Sequence, residues 1–328
     1  MSVGAAEALP AGAGPGGGLE FLEAPADIAA RSPLSLFWRR FRKDRLALAS
    51  LAFIALVVII AIFAPLVVKA LGLPGPNVQN LNATDEFGSP LGPSAGHPFG
   101  VDQLGRDVAS RVIYGTRVSL EVGIIGTAIA TTIGVVIGVL AGFFRGWTDM
   151  LLSRLTDVVL SLPLLLFGLG IGAACAVRGC LSGTIQPGLG VIIFLIALFN
   201  WTYVARIVRG LVLSLREREF VEAARALGAS NTRIMFREIL PNLVAPIIVY
   251  SSLLIPLNIL LEAALSFLGV GVRPPAASWG QMIAAATPIF STAWWYMTFP
   301  GLALLLTVLA FNLLGDGLRD ALNPRTAR

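Results

Sequence analysis

Apolar residues recur along this chain in six long runs, separated by shorter polar segments. A helix needs about 20 apolar residues to cross about 30 Å of hydrocarbon, since it rises about 1.5 Å per residue. The pattern therefore predicts an all-α membrane protein with six transmembrane helices. The predicted spans cover residues 46–68, 119–143, 151–174, 189–208, 243–268 and 293–314.

The first run contains no charged residue between Arg45 and Lys69. The alternative is a cleavable signal peptide, whose apolar core covers about 7–15 residues close to the start of the chain. This run is longer and begins later, so we interpret it as a membrane span. Composition supports the membrane class, because 56% of the 328 residues are hydrophobic and 13% are charged. Soluble domains have about 45–50% and about 25% respectively.

The basic residues predict the orientation of the spans, since short cytoplasmic loops hold most of the Lys and Arg. An even number of spans places both termini on one side. With both termini in the cytoplasm, eighteen of the 24 Lys and Arg residues lie inside and six lie outside. We therefore expect a multi-pass protein of the cytoplasmic (inner) cell membrane. The net charge of +5 then reflects topology, and nucleic acid is not an expected partner because no basic soluble domain is present.

The pattern divides the chain into three regions. Residues 1–33 are rich in Ala, Gly, Pro and Glu, which predicts a disordered cytoplasmic tail. Residues 34–118 hold the first transmembrane helix (46–68) and a long outside loop, and residues 119–328 form a five-helix core with a cytoplasmic loop at 216–242. The stretch from Ser35 to Arg45 fits either an amphipathic helix on the inner leaflet or a basic flank of the first span.

Residue types that carry catalysis are scarce. Histidine occurs once, at His97, and the cysteines are Cys175 and Cys180, too few for a zinc centre with three or four ligands. Neither Lys43 nor Lys69 follows a glycine, so the chain lacks a phosphate-binding G-x-x-x-x-G-K-[ST] loop. We expect no catalytic residue, no metal and no cofactor. Another polypeptide must power any ATP-driven work.

The two cysteines lie in the sequence CAVRGC, in a segment predicted to be outside. Oxidising conditions outside the cell membrane permit a disulfide. The alternative is two unrelated small apolar residues near the end of a span. We favour a disulfide between Cys175 and Cys180.

The cytoplasmic loop from Arg216 to Asn242 is long and polar for this chain. In its first half, four apolar residues recur with helical spacing and form one stripe on a short helix. Gly228 follows and can take the left-handed conformation that ends a helix. The stripe consists of Phe220, Ala223, Ala224 and Leu227.

The second half of this loop predicts another short helix. Ser230 is a good N-cap for a helix that runs from Asn231 to about Glu238, and Pro241 is expected to end it before the next span. The helix pair could project from the membrane or lie on the lipid surface. The residue pattern leaves both alternatives open.

Part of this loop resembles a known family feature. Glu222-Ala223-Ala224, then Gly228 four residues after the second alanine, and Ile239-Leu240-Pro241 resemble the EAA loop of ATP-binding-cassette (ABC) importer permeases. In that family the loop docks in a groove of the ATPase subunit. The resemblance implies that the ATPase-coupling residues here are Glu222, Ala223, Ala224 and Gly228.

Three further blocks, His97–Leu120, Glu262–Met282 and Pro300–Arg325, are similar to the C-type permease subunit of dipeptide, oligopeptide and nickel importers. The resemblance covers roughly residues 34–325. It implies a type I ABC-importer permease fold and a channel-forming subunit for dipeptides or oligopeptides, with nickel or glutathione import as the alternative. The implied partners are a second homologous permease subunit, two ABC ATPase subunits and an extracytoplasmic solute-binding protein.

An ATP-independent secondary transporter is the competing class, but it needs ion sites near the midplane, and acidic residues are sparse in the spans. Glu262 is one of them. An ionised acid at a helix centre costs about 3 kcal/mol on insertion scales, so it must face a wet translocation path or a hydrogen-bonding partner. Both alternatives stay open.

Asp157 is expected to pair with Arg154 within one helix. Pro246 and Pro256 are expected to kink the fifth span.

Overall fold

The computed structural model describes residues 33–85, 89–175, 177–181 and 183–322. The predicted tail at residues 1–33 lies outside these ranges except for its last residue. The described part of the chain is helical and holds no regular sheet, only isolated bridges, which confirms the predicted all-α class. Its α-helices are α1 (Pro33–Phe41), α2 (Arg45–Ile62), α3 (Ala64–Ala70), α4 (Val108–Phe144), α5 (Gly146–Ser161), α6 (Leu164–Ala174), α7 (Leu189–Leu215), α8 (Glu219–Ala226), α9 (Asn231–Arg233), α10 (Leu240–Phe267), α11 (Trp279–Ala286) and α12 (Trp294–Leu322).

Five helices in the described ranges are long and apolar enough to cross a membrane, and α5 with α6 gives a sixth if this bent pair counts as one span. The five are α2, α4, α7, α12 and a helix that includes α9 and α10. The predicted span at 151–174 corresponds to this bent pair, in which α5 and α6 meet at 81°. Leu162 is extended there (ψ 127°), since the ring of the following Pro163 disfavours helical geometry at the residue before it.

The second span begins earlier than predicted. Helix α4 starts at Val108 rather than at residue 119, and the Asp107 side chain caps it. Hydropathy falls in this first part because it contains arginines, yet the side chain of Arg111 is completely buried. Its guanidinium donates to the Pro76 carbonyl at 3.1 Å and to Gln281 Oε1 at 3.3 Å. Because Arg111 has hydrogen-bond partners inside the protein, it can be buried in a helix that begins before the apolar run.

Helices α4 and α7 pack against each other along a seam of glycines. Gly134, Gly138 and Gly142 recur every four residues on one face of α4. A Cβ atom at Gly138 would lie 2.6 Å from the Ala205 carbonyl oxygen, and one at Gly142 would lie 2.9 Å from the Arg209 carbonyl oxygen. Small residues at this spacing allow the two backbones to approach closely. The seam makes α4 and α7 one packed pair.

The connection between α3 and α4 covers the ends of the spans. The indole of Trp295 donates to the Val101 carbonyl at 3.1 Å, and the indole of Trp279 donates to the Val112 carbonyl at 3.1 Å. His97 Nδ1 lies 2.8 Å from an Asp107 carboxylate oxygen, as expected of a hydrogen-bonded loop residue. The Trp295 contact holds the connection against α12, and the Trp279 contact holds α11 against the first turns of α4.

Helix α1 lies in the region for which an amphipathic helix and a basic flank were both open. It is helical from Pro33 to Phe41, and Phe41 is buried against α12 while Trp38 is exposed. Asp44 then caps α2 by accepting the Leu46 N–H at 2.9 Å. A separate amphipathic helix before the first span is the alternative that this geometry supports.

Candidate coupling site

Helix α8, in the first half of the 216–242 loop, is anchored on one side only. Val221 is completely buried, together with Ile234 and Ile239 from the second half of the loop. These residues share an apolar cluster with Phe143 at the end of α4 and Val212 near the end of α7. Burial of this face fixes α8 beneath the ends of α4 and α7.

Three of the four residues of the predicted apolar stripe lie on the open side of α8. The exposed fraction of the residue is 39% for Phe220 and 88% for Leu227, and Ala223 is exposed as well. Ala224 is half-buried at the edge of the stripe, and Glu222 is exposed beside it. The coupling residues named from the family resemblance thus lie on or next to an exposed apolar surface.

Gly228 ends α8 as the sequence predicted. Its φ is +79°, a left-handed conformation that glycine adopts without strain. The Gly228 N–H donates to the Arg225 carbonyl at 2.9 Å, and the Ala229 N–H donates to the Ala224 carbonyl at 3.0 Å. This is the hydrogen-bond pattern of a Schellman C-cap. The turn sets the angle at which the second half of the loop leaves α8.

The second helix of the loop begins at its predicted cap but does not end where predicted. Ser230 Oγ accepts the Arg233 N–H at 3.3 Å. The chain then continues through a π-helical segment, Ile234–Ile239, directly into α10, so the ending predicted at Pro241 is wrong. Pro241 follows this segment directly and has no backbone N–H to donate. The wider π turn before it accommodates the proline. One helix therefore joins the loop to the fifth span and also runs through Pro246 and Pro256.

The beginning of the loop contacts the end of α4. Glu217 Oε1 lies 2.8 Å from Arg145 Nη2 and 3.3 Å from Arg216 Nε. Arg216 also donates to the Phe143 carbonyl, and the Arg225 guanidinium lies 6.0 Å from the centre of the Phe143 ring. Burial lowers the pKa of Arg216, as do the neighbouring guanidinium groups, but an arginine stays protonated at neutral pH.

Two ion pairs join α5 to the second half of α7. Asp149 accepts from both Nε and Nη2 of Arg209, the second at 2.7 Å. Asp157 Oδ1 lies 2.8 Å from Arg206 Nη2, so the expected pairing of Asp157 with Arg154 is wrong. The bend after α5 explains this, since it lets α5 lie along the second half of α7, which carries Arg206 and Arg209.

Glu262 lies near the far end of α10 and is completely buried. Its carboxylate accepts from Ser119 Oγ of α4 at 3.1 Å and from Ser266 Oγ at 2.7 Å. Each carboxylate oxygen thus has a hydroxyl donor inside the subunit. Of the two alternatives open for Glu262, this geometry supports the structural hydrogen bond over a position on the translocation path.

A second polar contact between spans was not predicted from the sequence. Asn200 of α7 donates to Asn258 of α10, and Asn258 donates to Thr127 Oγ1 of α4 at 2.7 Å. All three side chains are buried. Their signal in the sequence is an amide or hydroxyl residue inside an apolar run, which must find a partner because lipid offers none.

Cys175 and Cys180 are bonded to each other, with their Cα atoms 4.9 Å apart. That separation lies within the usual range for disulfides of about 4.4–6.8 Å. The bridge lies between the end of α6 and the start of α7. Among the residues that the structure describes, no three His, Cys, Asp or Glu side chains come together as a metal site requires.

The chain is similar in sequence to known proteins. The family model for the binding-protein-dependent transport system inner membrane component matches residues 134–328. The model for the N-terminal TM domain of oligopeptide transport permease C matches residues 32–88. Glutathione transport system permease proteins of Escherichia coli and Shigella sonnei are each 41% identical to this chain over 295 residues, which cover 90% of this chain and 91% of theirs.

Solved structures of the MetNI methionine ABC transporter in inward-facing conformations share the fold. In one of them the TM-score is 0.53 at 20% sequence identity, and the match covers 65% of this chain and 96% of that chain. A second crystal form gives a TM-score of 0.52 at 17% identity. At these identities the likeness concerns the fold alone.

Proposed function

Because this chain belongs to the family of binding-protein-dependent transport system inner membrane components, we propose that its 216–242 loop receives the driving force of transport from the ATPase subunits. The chain is a multi-pass permease subunit of an ABC importer in the inner membrane, and such a permease works with ATPase partners. The loop lies on the cytoplasmic side in this proposal, as the distribution of basic residues predicts.

The exposed stripe of α8 is the observation that carries this proposal. Leu227 is 88% exposed while Val221 on the other side of the same helix is completely buried. An apolar patch on an anchored helix is typical of an interaction surface. Docking of an ATPase on Phe220, Ala223 and Leu227 would cover this patch, and Glu222 would lie at its polar rim. Movement of the ATPases would then displace α8 and switch the access of the pathway.

Replacing Leu227 by aspartate tests the docking surface. The charge would be desolvated in the ATPase groove without a partner, so we expect co-purification of the ATPase subunits to fall at least about tenfold. A matched control is Leu104→Asp, because Leu104 is 49% exposed in the connection between α3 and α4. Membrane abundance should stay normal for both variants. Unchanged ATPase recovery with Leu227→Asp would favour the lipid-surface alternative for the loop.

A second homologous permease subunit completes the pathway in this proposal. An apolar groove of about 590 Å³ is open between α6, α7 and α10. Tyr203 lies near the middle of α7 and Tyr250 lies within α10, and both are exposed at this groove. Lipid offers no hydrogen-bond partner to a phenol in the membrane core. A second permease subunit packed on this groove, or a water-filled path shared with it, would offer hydrogen-bond partners to these phenol groups.

For the cargo we propose dipeptides and oligopeptides, delivered from outside by a solute-binding protein, with glutathione as the alternative. Glutathione is the cargo named for the 41% identical relatives, and it is itself a short peptide. Uptake of a labelled dipeptide and of labelled glutathione by the reconstituted importer separates the two. Within this proposal the subunit makes and breaks no covalent bond.

A further inference from the structure

The connection between α7 and α8 is a short non-helical segment, Arg216–Arg218. A displacement of α8 could therefore be absorbed by rotation within this segment before it reaches the spans. Three contacts oppose such rotation. The side chains of Arg216 and Arg225 reach Phe143 of α4, and that of Glu217 reaches Arg145 directly after α4.

The backbone where these contacts end is unusual. Arg145, between α4 and α5, has φ 53° and ψ −167°, and the following Gly146 has φ 58°. A residue other than glycine with positive φ is uncommon and persists when its surroundings hold it there. The side chain of Arg145 reaches from this turn to Glu217 of the loop, at 2.8 Å.

The end of α4 is also the end of a packed pair. The glycine seam at Gly134, Gly138 and Gly142 brings the backbones of α4 and α7 together along their length. A force applied at Phe143 or Arg145 is therefore applied to both helices at once. The other half of the loop is already continuous with α10 through the π-helical segment.

We propose that Phe143, Arg145, Arg216, Glu217 and Arg225 form a clamp that stiffens the α7–α8 connection and passes the displacement of α8 to the α4/α7 pair. The proposal rests on the docking of the ATPase at α8 proposed above. The clamp residues are positioning residues, since they act through α8 and touch no cargo. With the clamp, the loop has two rigid attachments. The clamp joins it to the α4/α7 pair, and the continuous helix joins it to α10.

Charge exchange in the central ion pair tests the clamp. The variants are Arg145→Glu, Glu217→Arg and the double exchange, each in the complete importer reconstituted with its ATPase subunits. Both side chains are about half exposed, and an exposed ion pair contributes little to stability, so the single variants are expected to fold. We expect each single variant to lower uptake per ATP hydrolysed at least about fivefold with normal ATPase recovery, and the double exchange to restore it to within about twofold.

The ion pair between Asp157 and Arg206 is the matched control. Its distance is also 2.8 Å and its side chains are 52% and 59% exposed, but it joins α5 to α7 without touching the loop. Asp157→Arg should leave uptake per ATP hydrolysed unchanged. Labelled glutathione and labelled dialanine serve as the two cargo probes.

A distance between spin labels on Glu222→Cys of α8 and Val136→Cys of α4 provides a readout that needs no cargo. Both positions are exposed, and the distance distribution should broaden in the single variants and narrow again in the double exchange. Normal coupling in both single variants would overturn the clamp, as would failure of the double exchange to restore it. Loss of ATPase recovery in the single variants would assign these residues to docking and also overturn the clamp. The Leu227→Asp result decides separately whether α8 is the docking surface.

Discussion

Gly138→Ala places a methyl group between the closely packed helices α4 and α7. The new Cβ would lie 2.6 Å from the Ala205 carbonyl oxygen and 2.8 Å from Val208 Cβ, whereas carbon atoms in contact prefer about 3.5–4.0 Å. The nearest neighbour is backbone, so it cannot move aside as a flexible side chain could. The helices must therefore separate along the seam.

The cost of this separation can be worked out against a control. Overpacking of this kind costs about 1–3 kcal/mol, while the change from glycine to alanine within a helix returns up to about 1 kcal/mol. A Cβ atom added at Gly210 of α7 would meet no neighbouring atom within 4 Å. Gly210→Ala therefore gains the helix propensity of alanine without the cost of overpacking. The difference in unfolding free energy between the two variants then isolates the steric cost, about 1–3 kcal/mol.

Thermal unfolding of the purified subunit in detergent, followed by tryptophan fluorescence, measures this difference. We expect the Tm of Gly138→Ala to lie up to a few degrees below that of Gly210→Ala, since about 1 kcal/mol shifts Tm by about 2–4 °C in a chain of about 150–250 residues and by less in a longer one. Coupled transport should fall with it. Equal midpoints for the two variants would refute the close approach of α4 and α7, and with it the α4/α7 pair on which the clamp acts.

Two further predictions concern topology and the disulfide. An impermeant thiol reagent applied to sealed cells should label Ala276→Cys and spare Thr232→Cys, with the parent chain as control; both positions are exposed, and labelling at 232 would contradict the cytoplasmic placement of the loop. Mass spectrometry of protein kept from reductant should show a peptide pair linked through Cys175 and Cys180, whereas two alkylatable thiols would contradict the bridge.

The sequence predicted the features that depend on neighbours along the chain. The apolar stripe, the positive φ at Gly228 and the cap at Ser230 each follow from spacing within a few residues. The membrane class likewise follows from the length of apolar runs. The glycine repeat in α4 was visible in the sequence too, as small residues at four-residue spacing, and could have predicted its close packing.

Two of the errors, the start of α4 and the partner of Asp157, have a different cause, because tertiary contacts decide them. The start of α4 depends on partners that Arg111 finds 30 or more residues away. The partner of Asp157 depends on how α5 is bent back toward α7. The continuation through Pro241 depends on a π-helical segment that propensity does not specify. The clamp could not be predicted from the sequence either, since Arg145 and Glu217 are 72 positions apart.

Polar contacts tie α4 to its neighbours at three levels, and together they determine how a displacement of the loop can travel. The clamp holds the loop to the last turn of α4. In the middle of the spans, Thr127 is joined through Asn258 to Asn200, which links α4, α10 and α7. Near the far end of α10, Glu262 accepts from Ser119 of α4. Because α4 is fixed to α10 in the interior and at the far end, and to the loop at the near end, these helices should move as one body. A push on α8 is then transmitted to the opposite side of the membrane rather than dissipated within the loop.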